Sequence, residues 1–320
     1  MWKTIVRRFL ILIPQILLLS VIIFILANFM PGDALTGKID QGVKAERLEE
    51  LRVQYGFYDP WYVKYGRWIS NAVKGDFGTS TAFKVPVSMK IGERAVNTFW
   101  LELLTLILMY LIAVPLGILS GRYHDRAFDK VVTMYTYVMF AIPTIIFGLL
   151  SIYVFGFKLK IFPIGLTVDT GVVPGTFAYF WSRIRHMALP ALTGAVLYNV
   201  AIIQYLRSEI VEYEKSDFVT TAKSKGVPGR VIYSKHITRN ALIPVATGMG
   251  YEIAMLLAGS IFIENVFHYP GMGRLFIESI NKRDYAVVNA LVIFFAVLTV
   301  VGSLLSDIII SAVDPRIRIK

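Results

Sequence analysis

The sequence contains no cysteine, which excludes disulfide bonds, thiolate chemistry and sulfur-ligated metal sites. Charged residues make up only 17% of its 320 positions, against roughly 25% in an ordinary soluble domain. The four histidines, His124, His186, His236 and His268, lie far apart and lack the spacing of metal ligands. No nucleophile and base, and no pair of carboxylates, stand at catalytic spacing. We therefore expect no cofactor, no metal and no enzymatic activity.

A complete nucleotide-binding loop is also missing. The stretch from Gly32 to Ile39 approaches the pattern G-x-x-x-x-G-K-[ST], but Ile39 occupies the position of the hydroxyl residue that would bind Mg²⁺. An apolar stretch of helical length precedes it, where that motif requires a strand. The segment that follows the last apolar run, 314–320, is short. If ATP drives any process here, we expect another polypeptide to hydrolyse it.

Long apolar runs are what the sequence has in abundance. Hydrophobic residues account for 56% of the chain and the mean hydropathy is +0.60. Runs of about twenty residues match the roughly 30 Å of hydrocarbon that a helix must cross. The sequence therefore predicts an all-α polytopic membrane protein with six transmembrane helices. The predicted spans are Phe9–Met30, Phe99–Ser120, Val131–Phe157, Ala188–Leu206, Ala241–Ile263 and Val287–Ile310.

The basic residues predict the orientation of these spans. The net charge of +11 could indicate nucleic acid, but the Lys and Arg residues lie in short loops beside apolar runs. With six spans, one side holds both termini and the loops 122–130 and 207–240, and basic residues are about twice as dense there as on the other side. We therefore expect both termini and the 207–240 loop to be cytoplasmic, and no nucleic-acid partner.

The long loop after the first span is predicted to be helical. Val43–Tyr55 is rich in charge, and Pro60–Lys74 begins with a proline suited to a first helical turn. The second stretch places Trp61, Tyr65, Trp68 and Ile69 along one side. This aromatic stripe is expected to contact lipid headgroups or a partner protein.

A polar island from Arg207 to Pro244 separates two apolar runs and contains seven Lys or Arg residues. Ser216 or Asp217 can cap a short helix, with Phe218 and Ala222 on one face and Gly226 as its end. A helix of about nine residues is marginal in water alone. It must therefore pack against the membrane helices or against a partner.

Four acidic residues lie in or at the ends of the predicted spans: Glu102, Glu252, Glu264 and Asp307. Carboxylates inside a membrane are costly and are candidates for function. Glu102 and Glu264 are expected near the outer interface, where water can solvate them. Glu252 falls mid-span, where it could line a translocation path or form a hydrogen bond between helices. Tyr198 and Asn199 invite the same interpretation more weakly.

The island resembles the cytoplasmic loop of ABC importer permeases, and in particular the first membrane subunit of the oligopeptide/dipeptide branch. Thr220-Thr221-Ala222 stands where the broad family has Glu-Ala-Ala, a departure that this branch usually shows. The resemblance extends in order along nearly the whole chain. It is carried by Pro31-Gly32-Asp33, Gly75-Asp76-Phe77-Gly78, Asp217-Phe218-Val219, Lys225-Gly226, Arg239-Asn240-Ala241, Pro270-Gly271-Met272-Gly273-Arg274, Arg283-Asp284-Tyr285 and Asp314-Pro315-Arg316.

The resemblance implies a type I importer architecture in the cell membrane of a prokaryote. Residues 1–30 would hold the cytoplasmic start and first helix, 31–97 an extracytoplasmic helical insertion, and 98–320 a five-helix permease core. Residues 217–226 would be a coupling helix that docks into a cytoplasmic ATPase. The expected coupling residues are Ser216, Asp217, Phe218, Val219, Thr221, Ala222, Lys225, Gly226, His236, Arg239 and Asn240.

The same resemblance implies a set of partners. They are a second homologous permease, two ATPase subunits, an extracytoplasmic solute-binding protein, a peptide substrate and membrane lipid. Pro270, Gly271, Gly273 and Arg274 are possible contacts of the binding protein, and Glu252, Tyr198 and Asn199 possible path residues. Nickel or glutathione is an alternative cargo. An ion-coupled secondary transporter with Glu252 as proton carrier is an alternative of another class.

Overall fold

The computed structural model describes residues 2–29, 50, 53 and 58–313. Within these residues the regular structure is helical, apart from an isolated bridge between Thr79 and Pro86. The loop Gly32–Ile39, all but two residues of the predicted helix Val43–Tyr55, and the segment 314–320 lie outside the described residues.

Twelve α-helices and two π-helical segments are described. In chain order they are α1 (Trp2–Phe29), α2 (Trp61–Val73), α3 (Val87–Arg122), α4 (Ala127–Ala141), α5 (Thr144–Ser151), π1 (Ile152–Lys158), α6 (Phe177–Glu214), α7 (Asp217–Ser224), α8 (Gly229–Val231), π2 (Ile232–Ile237), α9 (Thr238–Met255), α10 (Ile261–Val266), α11 (Met272–Asn281) and α12 (Tyr285–Val313).

Three described helices, α3, α6 and α12, have the length and apolar composition needed to cross a membrane. A fourth crossing results if α4 and the continuous α5–π1 helix are counted as one bent span. Helix α1 includes residues 9–29 of the first predicted span, although its apolar section of Leu10–Ile25 is shorter. The chain is thus a multi-pass helical membrane protein, and six spans remain a prediction.

Two of the predicted spans are wrong as single helices. Val131–Phe157 is two helices that meet at 103°, because Ile142 and Pro143 have extended backbone between them. A residue before proline is disfavoured in the α conformation, which explains the break. Ala241–Ile263 is interrupted because α9 ends at Met255 and Gly259 has a φ of +75° before α10 begins.

Helices α3 and α6 form a long parallel contact. Leu101 packs with Met187 and Ala191 at one end, and Gly121 meets Ile210 at the other. A Cβ atom added at Gly121 would lie 2.7 Å from the Cβ of Ile210, so the absence of a side chain lets the backbones approach. Helices α9 and α12 form the corresponding antiparallel pair, and a Cβ at Gly250 would lie 2.5 Å from the backbone nitrogen of Ser306.

Helix α2 packs on α1 and confirms the predicted start after Pro60. Tyr65 and Trp68 contact Phe24 with ring centroids 5.5 Å and 5.7 Å apart, and the Tyr65 hydroxyl lies 2.7 Å from that of Ser20. Trp61, in contrast, is 54% exposed. The aromatic stripe is therefore divided between a packing half and an exposed end.

Candidate functional site

Helix α7 is held by its own chain. Val219 and Ala222 are buried in a cluster with Leu206 and Ile210 of α6 and with residues of π2 and α9. The buried residues of α7 are thus Val219 and Ala222, whereas Phe218, predicted to share a face with Ala222, lies at the edge of that face. Phe218 is 39% exposed and contacts Tyr213 at 6.0 Å between ring centroids. Val219 and Ala222 are three residues apart and therefore lie on the same face of α7, which is the face that packs against the other helices.

The ends of α7 fall where the sequence predicts them. Ser216 is the N-cap residue, although its hydroxyl donates back to the Tyr213 carbonyl at 2.6 Å and forms no side-chain cap. Gly226 has a φ of +72°. Its N–H donates to Lys223 O at 3.0 Å, and Val227 N–H donates to Ala222 O at 3.1 Å. This is the bonding pattern of a glycine-terminated helix.

The opposite face of α7 is open. Asp217, Phe218, Thr221 and Lys225 are exposed, and the Thr221 hydroxyl donates to the Asp217 carbonyl at 2.8 Å. Asp217 lies in the first helical turn, where a negative charge is favoured by the helix dipole. The segment therefore offers a rigid, mostly polar surface on an apolar base.

An ion pair fixes the helices that carry this segment. Arg207 of α6 binds the buried Asp129 of α4 with two bonds, at 2.5 Å from Nε and 2.7 Å from Nη2. Ser120 of α3 donates to the same carboxylate at 2.5 Å. One carboxylate thus joins α3, α4 and α6 at the end where α7 lies, and the bidentate geometry makes the joint directional.

The remaining predicted coupling residues surround π2, which packs on α7. His236 is partly buried in π2, and its carbonyl accepts a bond from the Asn240 side chain at 2.6 Å. Arg239 is exposed. Tyr233 of the same π segment stacks on Arg122 of α3 at 5.1 Å. Of these residues, Tyr233 packs against the apolar cluster that holds α7.

A cavity of about 280 Å³ lies between α3, α6 and α9. Its lining residues recur at helical spacing on each of the three helices, so each helix turns one face towards it. The lining is formed by Glu102, Thr105, Leu106, Met109, Tyr198, Ala201, Ile202, Glu252, Met255 and Leu256. The structure therefore brings together Glu252 and Tyr198, two of the three predicted path residues.

Each polar group in this cavity has a neutral partner. The Tyr110 hydroxyl donates to Glu252 Oε2 at 2.5 Å, and the Tyr198 hydroxyl lies 2.7 Å from that of Ser260. Glu102 lies beside the backbone of Ser260. Glu252 thus forms a hydrogen bond between helices and also lines this cavity, and its role in a translocation path stays a prediction.

Asn199 does not line the cavity. It is fully buried and accepts a bond from the Tyr135 hydroxyl at 3.0 Å, on the side of α6 that faces α4. Glu102 was not predicted to line this cavity, because its position suggested the solvated interface. The spacing of Glu102, Leu106 and Met109 with Tyr110 on one side of the helix is the signal that could have identified it.

The turn from Pro270 to Arg274 is built around Glu264. This carboxylate is fully buried, contrary to the expected solvated position, and it accepts from the Thr98 hydroxyl at 2.7 Å and the Arg274 N–H at 3.0 Å. Gly271 and Gly273 are buried as well, and a Cβ at Gly271 would overlap the Glu264 carboxylate. Burial of these glycines gives the motif an internal role, and a binding-protein contact there stays a prediction.

Two further motifs are joined to each other. The buried Asp284 accepts from the Ser80 hydroxyl at 2.5 Å and from the Ala82 N–H at 3.1 Å. Asp76 accepts from the Gly78 N–H at 2.9 Å and closes the preceding turn. The segment that follows Gly75-Asp76-Phe77-Gly78 is thereby fastened to the start of α12.

Comparison with known proteins gives matches along the chain. A family profile described as binding-protein-dependent transport system inner membrane component matches residues 113–319, and the profile of the N-terminal part of such components matches residues 1–99. The oligopeptide transport system permease protein AppB of Bacillus subtilis is 38% identical over 315 residues, which is 98% of both chains. The glutathione transport system permease protein GsiC of Escherichia coli K12 is 32% identical over 320 residues, which is all of both chains.

Proposed function

This chain belongs to the family of inner membrane components of binding-protein-dependent transport systems, and we propose that it forms half of the pathway of an ATP-driven peptide importer. It is a permease subunit of the oligopeptide/dipeptide type. In this proposal the second half is a homologous permease, two ATPase subunits bind at the α7 end, and a solute-binding protein delivers the peptide at the other. Both termini and α7 are cytoplasmic.

The packing of α7 is the observation that carries this proposal. Val219 and Ala222 share one cluster with Leu206 of α6 and with Ala241 of α9. Helices α6 and α9 also supply Tyr198 and Glu252 to the cavity. A force applied to the exposed face of α7 would therefore act directly on two of the three helices that line the cavity. This is the connection that a rocking, alternating-access transporter requires.

The Arg207–Asp129 pair extends the same connection. It joins α6 to α4, and Ser120 of α3 bonds to the same carboxylate. In our proposal α3, α4, α6 and α7 therefore move as one body. Peptide cargo is favoured by the names of the relatives, one an oligopeptide permease and another a permease for the tripeptide glutathione. An uptake assay that compares peptides with metal ions and other solutes distinguishes these alternatives.

Purification of the tagged chain from detergent-solubilised membranes tests the assembly. We expect an ATPase and a second permease to be recovered with it. Asp217→Arg on the exposed face of α7 should lose the ATPase and keep the second permease. Glu93→Arg, an exposed acid at the opposite end of α3, is the matched control. A chain recovered alone that transports in proteoliposomes under a proton gradient would instead establish the ion-coupled alternative.

A further inference from the structure

The cavity between α3, α6 and α9 contains two carboxylates and none of its lining residues is basic. Carboxylates at membrane depth are normally paired with a cation or line a watery path. Here Glu252 receives a bond from a tyrosine hydroxyl and Glu102 lies beside the backbone of Ser260, so both have neutral neighbours. A cationic ligand would provide the missing counter-charge.

The two carboxylates are placed one after the other along the cavity. Glu102 and Tyr110 are eight residues apart on α3, which corresponds to about 12 Å along the helix. Because Tyr110 holds Glu252, the Glu252 carboxylate lies near the Tyr110 level and Glu102 lies towards the level of Ser260. The intervening wall is mostly apolar, with Leu106 and Met109 of α3 on one side, and its polar residues are Thr105 and Tyr198.

A cavity of this kind fits a specific class of ligand. An ammonium group offers three N–H donors and a full positive charge. An unmodified peptide carries one at its amino end, whose ordinary pKa of about 7.7–8.0 keeps it mostly protonated at neutral pH. The apolar wall accommodates side chains of varied composition, because it offers few groups that select among them.

We propose that this cavity binds the α-ammonium group of the peptide cargo, with Glu102 and Glu252 as successive acceptors along the path. The inference rests on the proposed peptide-importer function and adds the group that the permease recognises. Glu252 stands on α9, which packs against α7 but lies outside the body formed by α3, α4, α6 and α7, so its separation from Glu102 on α3 changes when α7 is displaced. The second acceptor would thereby take over the ammonium as the cavity opens to the other side.

The test uses the assembled transporter in proteoliposomes with its binding protein and ATP. Uptake of trialanine is compared with that of N-acetyl-trialanine, which lacks the charge and keeps the rest of the peptide. The variants are Glu102→Gln, Glu252→Gln and the double substitution, each isosteric with the original side chain. Glu93→Gln, on the same helix but outside the cavity, is the matched control.

We expect the ratio of free to acetylated peptide uptake to fall about tenfold in the double variant. The loss of one hydrogen bond to a charged group weakens binding by about this factor. Glu93→Gln should keep the wild-type ratio. The affinity of the isolated binding protein for each peptide is measured as well. The same binding protein is used with every variant, so a change in the ratio between variants arises in the permease. An unchanged ratio in an assembled double variant overturns the inference.

A second measurement needs no variant. Butylammonium should slow trialanine uptake by the wild-type complex, whereas butanol at the same concentration should not. Equal effects of the two compounds also overturn the inference. If the wild-type complex imports neither peptide, the proposed function itself fails, and this outcome is distinct from an importer that ignores the ammonium group.

Discussion

The two ends of the molecule each carry a short motif, and the two motifs serve different purposes. At one end, Val219 and Ala222 anchor α7 while Asp217 and its neighbours stay exposed. At the other end, the turn that contains Gly271 closes over the buried carboxylate of Glu264. The burial of a motif's residues therefore indicates whether the motif forms a surface or an internal contact.

The largest expected contrast lies between the two faces of α7. Val219→Asp places a carboxylate in an apolar cluster with no basic partner among the cluster residues, and burial of an unpaired charge is strongly unfavourable. We expect this variant to lose the folded state. Asp217→Arg changes an exposed residue and should lower the thermal midpoint only slightly, through the lost interaction with the helix dipole, while abolishing peptide uptake. Fluorescence-detected size exclusion after heating measures the first, and proteoliposome uptake the second.

These outcomes separate a docking surface from a purely structural helix. Val219→Ile is the control for the buried position, because it keeps an apolar side chain there. If the stable Asp217→Arg variant imports peptide at the wild-type rate, the exposed face has no coupling role. Equal loss of stability in both charged variants would mean that α7 tolerates no change on either side.

A pair of glycines gives a smaller contrast between the two ends. A Cβ at Gly271 would overlap the Glu264 carboxylate, so Gly271→Ala should lower the free energy of unfolding by about 1–3 kcal/mol, as overpacking does. At Gly226 nothing lies within 4 Å, and Gly226→Ala meets only the strain of a φ of +72°, about 1–2 kcal/mol. Both are measured as shifts in the thermal midpoint of the purified complex.

The two glycine variants should also differ in function. Gly226→Ala alters the end of α7 and should reduce uptake more than its stability change explains. Gly271→Ala should reduce uptake only in proportion to the folded protein that remains. A Gly271→Ala variant that is fully stable yet no longer stimulated by the binding protein would restore the predicted surface role of the Pro270–Arg274 turn.

The local features of the fold were predictable where one short-range cause decides them. The end of α7 at Gly226 follows from the freedom of glycine at positive φ, and the start of α2 follows from Pro60. The break at Pro143 could have been read in the same way, since the residue before a proline avoids the helical conformation. The length of the apolar run concealed it.

The remaining features depend on contacts between distant segments. Glu264 seemed solvated from its place at the end of an apolar run, but Thr98 lies 166 positions earlier and completes its burial. Glu102 joins the cavity only because α6 and α9 close around α3. A single sequence identifies such carboxylates as unusual, but it does not reveal which helices will surround them.

The smallest expected effect concerns the loop of residues 165–169, where Gly165 lies beside His268. Asp169 accepts from the Ser182 hydroxyl at 2.7 Å, and Nε2 of His186 lies 3.2 Å from its other oxygen. These hydrogen bonds from Ser182 and His186 hold the pKa of Asp169 below its ordinary value. The ionised Asp169 therefore contributes fully to stability above its ordinary pKa of about 3.9. This contribution is lost as the pH falls through the lower pKa that Asp169 has in the folded protein.

Asp169→Asn should therefore loosen residues 165–169 slightly at neutral pH. The side chain of Asp169 is 52% exposed, so solvent screening keeps the effect small. Hydrogen exchange of this loop, corrected for intrinsic rates, should show a difference between wild type and Asp169→Asn that persists from pH 7 to pH 5. The difference should narrow below about pH 4, where the carboxylate of the opened loop begins to protonate. Because α2 lies away from this loop, its exchange serves as the internal control, and a difference that instead grew in acid would show that Asp169 does not hold the loop through its charge.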